Sequence, residues 1–564
     1  MKTLYKNGRV LNVFTGECAL YDVLVSEGRI IGVDRYDDSD ADLVIDVAGK
    51  VLCPGFIDGH IHIESSMLSP EEFARVAVAH GTTAIVADPH EIANVCGTDG
   101  IRYMLEASEN LPLTVYIMVP SCVPATPFDE AGAVLDASQL KEFYSHPRVL
   151  GLGEVMSYPL VLAGAPDVLQ KIADAKALGM RVNGHAPLLS GRDLDAYVQT
   201  GIYDDHECSS FEEAKERIRK GQRVMIRQGT GARNLEGLIS LFDAPWAGRC
   251  LLVTDDKHPK DFLENGHIDG IIRQVCEKGK SPVIAIQMAT IQAAEHFGLK
   301  DVGAIAPGYI ADMVVLDDLD TVRVSAVYRA GKLVAEKGRT LPFEAPKVSL
   351  RLQDIVKKSF HIDKMTATDF HIDAKGKKTC RVIACIKHQL LTEEAHVELD
   401  FDQNNGVCTE KDIAKLAVCE RHKGTGHKGI GFIRGIGLKT GAIAASVAHD
   451  SHNLIIIGTN DEDMALAGNR VIDIGGGFTV VKDGRVLAEM PLNVAGLMTE
   501  ETAEVAAAQN EEVRRCVHAL GVPADCEPFM TMAFVSLPVI PHIKMSTLGL
   551  IDVDKQEKAE LFVN

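Results

Sequence analysis

Hydrophobic and polar positions alternate in short runs from Leu4 to Val51, in "GRVLNVFTGE", "YDVLVSEGRIIGVD" and "DLVIDVAGKVLCPG". Period-two runs broken by turn residues predict a small antiparallel unit of β-hairpins. The same texture returns after Gly303 in "GAIAPGYIADMVVLD" and "VSAVYRAGKLVAEKG". Between these flanks, compact apolar runs alternate with amphipathic stretches. The runs are "GFIDGHIH", "TTAIVAD" (82–88), "TVYIMVP" (114–120), "RVLGLGE" (148–154), "MRVNGHA" (180–186), "GIYDDHE" (201–207), "RVMIRQG" (223–229) and "RCLLVTDD" (249–256). Several spacers have helical periodicity; in "SPEEFARVAVAHG", Ser69 can cap a helix and Gly81 can end it. Eight such units predict a closed (β/α)8 barrel. The two β-rich flanks then form one small β-sandwich domain that the barrel interrupts.

"TLPFEAPKVSL" (340–350) has the composition of a linker, after which the pattern changes again. Residues 351–564 contain the Gly-rich loop "RHKGTGHKGIGFIRGIGLKTG", a helix-like "GAIAASVA", the polar cluster "HDSHN", a strand "LIIIGT" and a tight turn "IGGGF". The expected organisation is therefore a small β domain in two parts (1–53 and 301–345), a barrel (54–300) and a further α+β domain (346–564).

Composition narrows the function classes. The chain has 564 residues, 46 % hydrophobic and 24 % charged, as an ordinary multidomain globular protein has. Its 13 cysteines include no C-x-x-C pair, which points to reduced thiols and a cytoplasmic setting rather than a disulfide framework. The N-terminal stretch lacks a signal-type apolar segment, and no run reaches the ~18 apolar residues of a membrane span. A formal charge of −21 repels a polyphosphate, so nucleic acid is not an expected partner, and the lack of a spanning run makes a membrane equally unexpected.

Chemistry enters at "PGFIDGHIHIESSM" (54–67). Residues i and i+2 of a strand share a face, so His60 and His62 can converge on one ion at the C-terminal mouth of a barrel. Later strand ends carry matching ligand types: Glu154 on the fourth, His185 on the fifth, His206 on the sixth and Asp255 on the eighth, with Asp256 next. Four imidazoles and two carboxylates exceed one tetrahedral ion with an open position and suit two ions sharing a bridging carboxylate. Nitrogen and oxygen donors accommodate iron, manganese or zinc. Asp88, His90 and Glu91 follow the second strand, and Glu64 follows the histidine pair. These four, with Asp256, are candidates for substrate contact or auxiliary metal binding, as are His449, Asp450 and His452 of "AHDSHN". "GTGHKG" matches a dinucleotide-loop spacing without the strand and acidic residue such a site needs. The H-x-E plus P-C-x-x-C signature of cytidine-type zinc deaminases has no second half here.

The ligand order, the "PGFIDGHIH" segment and the closing "GAIAPGYIADMVVLD" resemble the amidohydrolase superfamily over residues 1 to about 340. Many binuclear members carry a carbamylated lysine where this chain has Glu154. With "HIESSM", "DPHEIANVCG", "VNGHAP", "RHKGTGHKGIGF" and "SVAHDSHN…GTNDEDMALA", nearly the whole chain resembles the bacterial adenine deaminase family. The resemblance implies hydrolysis of adenine to hypoxanthine in purine salvage, with a binuclear centre favouring manganese or iron over zinc. It implies one ion on His60, His62 and Asp255, the other on His185 and His206, Glu154 bridging and contributing to catalysis, Asp255 as proton carrier, and a homo-oligomer, a dimer. The alternatives are an amidohydrolase acting on a cyclic amide, of hydantoinase or dihydroorotase type, and an inactive barrel scaffold.

Overall fold

The computed structural model describes residues 1–387 and 389–563. Eight parallel strands run through Phe56–Ile61, Thr82–Ala87, Thr114–Val119, Val149–Val155, Arg181–Gly184, Asp204–Asp205, Arg223–Arg227 and Cys250–Val253. All eight apolar runs thus become barrel strands. The first five pair in order, as do the last three. Strands covered on both faces have no need of polar alternation, hence the near-continuous apolar runs. One seam is closed by the parallel bridge of Ile61 to Asp255, with Asp255 N donating to His60 O at 3.0 Å.

The other seam is closed by a side chain. Asp204 accepts from Gly184 N and from Asn183 Nδ2, both at 2.7 Å, and meets His296 Nε2 at 2.7 Å. Next to it, Asp205 accepts from Glu207 N at 2.7 Å and from the fully buried Arg217 Nε at 3.0 Å. The sixth strand, expected over 201–207, is therefore only two residues long. Its carboxylates take up donors that a longer ladder would have paired. His206 leaves this anchored pair directly into the barrel mouth.

The first barrel helix, Pro70–Ala79, starts where Ser69 Oγ accepts from Glu72 N at 3.4 Å. It is followed by Gly81 at φ +85°, where a side chain would meet the Phe56 ring.

The two flanks share one nine-stranded sheet, joined where Val51–Pro54 pairs antiparallel with Met313–Leu316. The expectation of hairpins alone is corrected: Leu43–Asp46 and Val51–Pro54 both run parallel to Lys2–Asn12. That eleven-residue strand is long enough to change partner, using Thr3–Lys6 for one and Arg9–Val10 for the other.

Residues 341–349 have no helix or strand. Beyond them stands an eight-stranded mixed sheet, with Ala442–Ala445 between Leu454–Gly458 and Gly477–Lys482. "GAIAASVA" is thus a central strand, not the helix its small residues resembled. Its alanines let the helix Asp461–Asp473 approach closely, and Ala442, Ala444, Met464 and Ala467 share one apolar core. The expected Gly-rich loop likewise contains the strand Lys428–Arg434. A β-carbon on Gly429 would lie 2.0 Å from Ser546 O, and one on Gly431 2.7 Å from Met545 Cε. Glycine is needed there because the hairpin Ile543–Ser546/Gly549–Asp552 lies directly on the strand.

The C-terminal region docks on the barrel mouth. Ser69 N donates to Thr499 O at 2.9 Å, and Thr499 N to Met67 O at 2.8 Å. Glu72 Oε1 accepts from Ala503 N at 3.0 Å, and Glu130 Oε2 from Thr547 Oγ1 at 2.6 Å.

Arg217→Met should destabilise the protein by about 3–5 kcal/mol, because it strands Asp205 as a buried, unpaired charge. Denaturant unfolding measures this, and an unchanged midpoint would refute the anchoring role of the pair.

Candidate metal centre at the barrel mouth

His60 is the penultimate residue of the first strand and His62 follows the strand, and the two rings stand edge to face with centroids 4.8 Å apart. The ring of His60 also stacks on that of His206, at 4.3 Å and 22°. Asp255 reaches the same point from the eighth strand, its backbone at φ +58°, a conformation Asp tolerates better than most residues. Its Oδ1 lies 3.2 Å from His62 Nε2 and 3.6 Å from His60 Nε2.

Glu154, at the end of the fourth strand, divides its two oxygens. Oε1 lies 3.3 Å from His62 Nε2, while Oε2 lies 2.7 Å from His185 Nδ1 and 3.1 Å from His206 Nε2. His185 Nδ1 and His206 Nε2 are 3.2 Å apart. All six ligand-type residues of the strand ends therefore gather, with one carboxylate oxygen turned to each side. Five of them are at most 3 % exposed, and His185 is the more open one.

Among the described residues, both nitrogens of the fully buried His60 lack a hydrogen-bond partner. A buried imidazole left unpaired is costly, and a cation is the partner this donor set fits. The overlapping groups His60–His62–Asp255 and His60–Glu154–His206 each bring their ligand atoms within 4.8 Å, as a metal-dependent site requires.

Charge balance agrees. Burial pushes His60 well below its ordinary pKa, helped by His206 and His62, so the ring is neutral. Burial also opposes charge on His62, yet Asp255 and Glu154 lift it well above the usual range. His206, against the same burial, is raised to about 9 by Glu154. Burial would raise Glu154, but His185 and His206 hold it well below the carboxylate range. The carboxylates thus draw protons onto the rings, and a divalent cation competes for the same lone pairs.

The remaining predicted residues form the surrounding layer. Asp88 is a support: its Oδ2 accepts from Glu154 N at 2.8 Å, and its carbonyl meets His62 Nδ1 at 2.9 Å. His90 Nδ1 lies 3.6 Å from both Asp88 Oδ1 and Glu154 Oε1, and its Nε2 is 4.0 Å from Asp450 Oδ1. Glu64 Oε1 accepts from Ile92 N at 3.2 Å; burial and the neighbouring Glu91 push this carboxyl up to about 7. Asp256 Oδ1 accepts from Ser65 Oγ at 2.5 Å. Glu91 lies among His449, His452 and Ser65, away from the six central residues.

Two residues of the site escaped the sequence reading. Arg227 Nη1 contacts Asp255 Oδ2 at 2.7 Å and Glu207 Oε1 at 2.5 Å. Glu207 in turn stands 3.5 Å from His185 Nδ1 and 3.4 Å from His206 Nε2. Despite its burial, Asp255 is held well below its ordinary pKa, first by Arg227. Arg227 is the last residue of the seventh strand, so the strand-end rule that finds Glu154 would also have found it. Glu207 had a signal too, sitting next to His206 in "DDHE".

Two family models match the chain: "Amidohydrolase family" over residues 51–334 and "Adenine deaminase C-terminal domain" over residues 389–557. Adenine deaminase 2 of Carboxydothermus hydrogenoformans is 48 % identical over 549 residues, covering 97 % of this chain and 95 % of the relative. Adenine deaminase of Desulfatibacillum aliphaticivorans is 44 % identical over 565 residues, covering 99 % and 96 %. That of Nitratidesulfovibrio vulgaris strain Hildenborough is 45 % identical over 549 residues, covering 97 % and 94 %.

Chelation followed by manganese(II) at about 100 times its dissociation constant should restore about 2.7 kcal/mol of stability. The readout is an upward shift of Tm on refilling. A Tm indifferent to manganese would contradict a cation among these six residues.

Proposed function

The chain belongs to the adenine deaminase family, within the amidohydrolase superfamily, and from that premise we propose how its site hydrolyses adenine to hypoxanthine and ammonia. Adenine deamination is its activity, and the observation that carries this is near-full-length identity to adenine deaminases together with six convergent ligand positions.

In this reading two divalent cations, manganese or iron before zinc, would occupy the cluster. His60, His62 and Asp255 would hold one, His185 and His206 the other, and Glu154 both; the separation of the Glu154 oxygens supports the bridging role. Such ions, when bound, lower the pKa of a neighbouring water so that it can act as a nucleophile at neutral pH.

The chain's own residues do the rest. Water adds at C6 of adenine and the exocyclic amine leaves as ammonia. Asp255 takes a proton from that water and delivers it to the departing amine. Arg227 keeps Asp255 ionised and fixes its rotamer, while Glu207 balances the guanidinium charge. Asp88 sets the position of Glu154 through the backbone amide. Most of the cluster is buried, so competing bulk water is excluded and each charge acts at greater strength.

The substrate is a free small molecule, and thirteen unpaired cysteines support a reducing, cytoplasmic setting in purine salvage. Among the described residues no helix is long and apolar enough to cross a membrane. The division of the chain at residues 53, 300 and 345 and the dimeric state belong to the same proposal. The alternatives of a cyclic amide substrate or an inactive scaffold gain no support, since no ligand position is lost and the relatives are named for adenine.

Ultraviolet spectra of manganese-loaded protein with adenine should change to those of hypoxanthine. Asp255→Asn should cost roughly 10²–10⁴-fold in kcat, the range of a general acid–base group, with the fold intact; wild-type-like turnover would exclude it as proton carrier. Glu154→Gln should bind less metal by elemental analysis, and unchanged occupancy would exclude bridging.

A further inference from the structure

Adjoining the ligand cluster lies a cavity walled in part by the C-terminal region. Glu64, Ser65, Glu91 and Asp256 line it from the barrel, and His449 and Phe534 from the C-terminal region. The ring of His449 lies nearly flat on Phe534, at 4.6 Å and 25°, and its Nδ1 is 3.1 Å from Glu91 Oε1. One face and one nitrogen are thereby used. No described residue hydrogen-bonds to His449 Nε2.

By composition, Glu91, His449 and His452 could be a third cation site, since their ligand atoms lie within 4.8 Å. The hydrogen bonds argue otherwise. Ala448 N donates to His452 Nδ1 at 3.2 Å, so this nitrogen presents its lone pair and the ring hydrogen sits on Nε2. A metal ligand needs a lone pair where His452 has that hydrogen. His452 Nε2 instead faces Glu91 Oε2 at 3.6 Å. Glu91 thus meets His449 and Ser65 Oγ (3.2 Å) on one oxygen, while His452 Nε2 stands just beyond hydrogen-bond reach of the other. Fixed in this way, Glu91 fixes His449 in turn. Burial works against charge on His449, yet Glu91 raises its pKa to about 9.

We propose that His449, through Nε2–H, is a specificity-determining residue that hydrogen-bonds a ring nitrogen of adenine, so that the C-terminal region completes a site whose metal ligands all come from the barrel. The assignment rests on the deaminase reading. Adenine carries in-plane lone pairs at N1, N3 and N7, which an imidazolium edge matches with a charge-assisted bond. Water addition at C6 moves negative charge onto the ring nitrogens, so such a donor binds the transition state more tightly than the substrate. Glu91 is the positioning residue that holds the imidazole to this task.

The test compares 1-deaza-, 3-deaza- and 7-deazaadenine as inhibitors of manganese-loaded wild type, His449→Phe and His449→Asn. The Phe variant keeps the stacking on Phe534, and the Asn variant serves the comparison if the Phe variant does not fold. In wild type, the analogue lacking the gripped nitrogen should bind about 10- to 100-fold more weakly than the other two, the range of a charged hydrogen bond. In the variants that discrimination should disappear, and kcat/KM for adenine should fall by a similar factor. Identical analogue rankings in wild type and variants, with wild type turning over adenine, would overturn the assignment. Failure of wild type to deaminate adenine would instead overturn the deaminase reading.

Discussion

A carboxylate buried at the centre of a barrel must find positive charge on both sides, and Glu154 is placed under that constraint. Each of its oxygens faces a different set of imidazoles, drawn from strands remote in sequence. Every other feature of the mouth follows from satisfying it. The rings must converge, so the strands that carry them end at one level. Their residual charge must be balanced, so Arg227 and Glu207 close the far side as a half-buried ion pair. A dielectric low enough to make these interactions strong also makes any unpaired member expensive.

That cost explains why the surrounding barrel is built with polar side chains where hydrogen-bonded strands would ordinarily suffice. Asp58 joins the first and eighth strands by accepting from His60 N at 3.2 Å and Thr254 N at 3.1 Å. Asp204 joins the fifth and sixth. Both seams lie beside histidines of the cluster, where strand pairing is reduced to a single bridge or replaced by side-chain contacts. Side-chain acceptors then pair the exposed donors and hold His60 and His206 in register.

The C-terminal region contributes closure and a chemically different wall. The barrel supplies the six ligand-type side chains, whereas the docked region brings Phe534, Phe529 and His449 to the adjoining cavity. Such a division suits a flat heteroaromatic substrate, whose reacting carbon would face the ligand cluster while its ring edge meets donors elsewhere. Backbone hydrogen bonds between Ser69, Met67 and Thr499 tie this wall directly to the loop after His62, so the two halves of the site share one fixed reference.

The linear chain determined a good deal by itself. Apolar runs at a repeating interval specify parallel strands buried on both faces, and ligand-type residues at their ends specify the centre, because strand polarity puts every C-terminal end at one mouth. Local pattern failed where burial came from neighbours far along the chain. Ala442–Ala445 became a strand because two strands flank it, and Gly429 and Gly431 lie in a strand because a hairpin covers them. The two-residue sixth strand, the Arg227–Glu207 pair and the tautomer that separates His452 from a metal ligand were likewise settled only by tertiary contact. Which groups meet, and therefore which charges and hydrogen bonds must be compensated, is a property of three-dimensional proximity that periodicity does not carry.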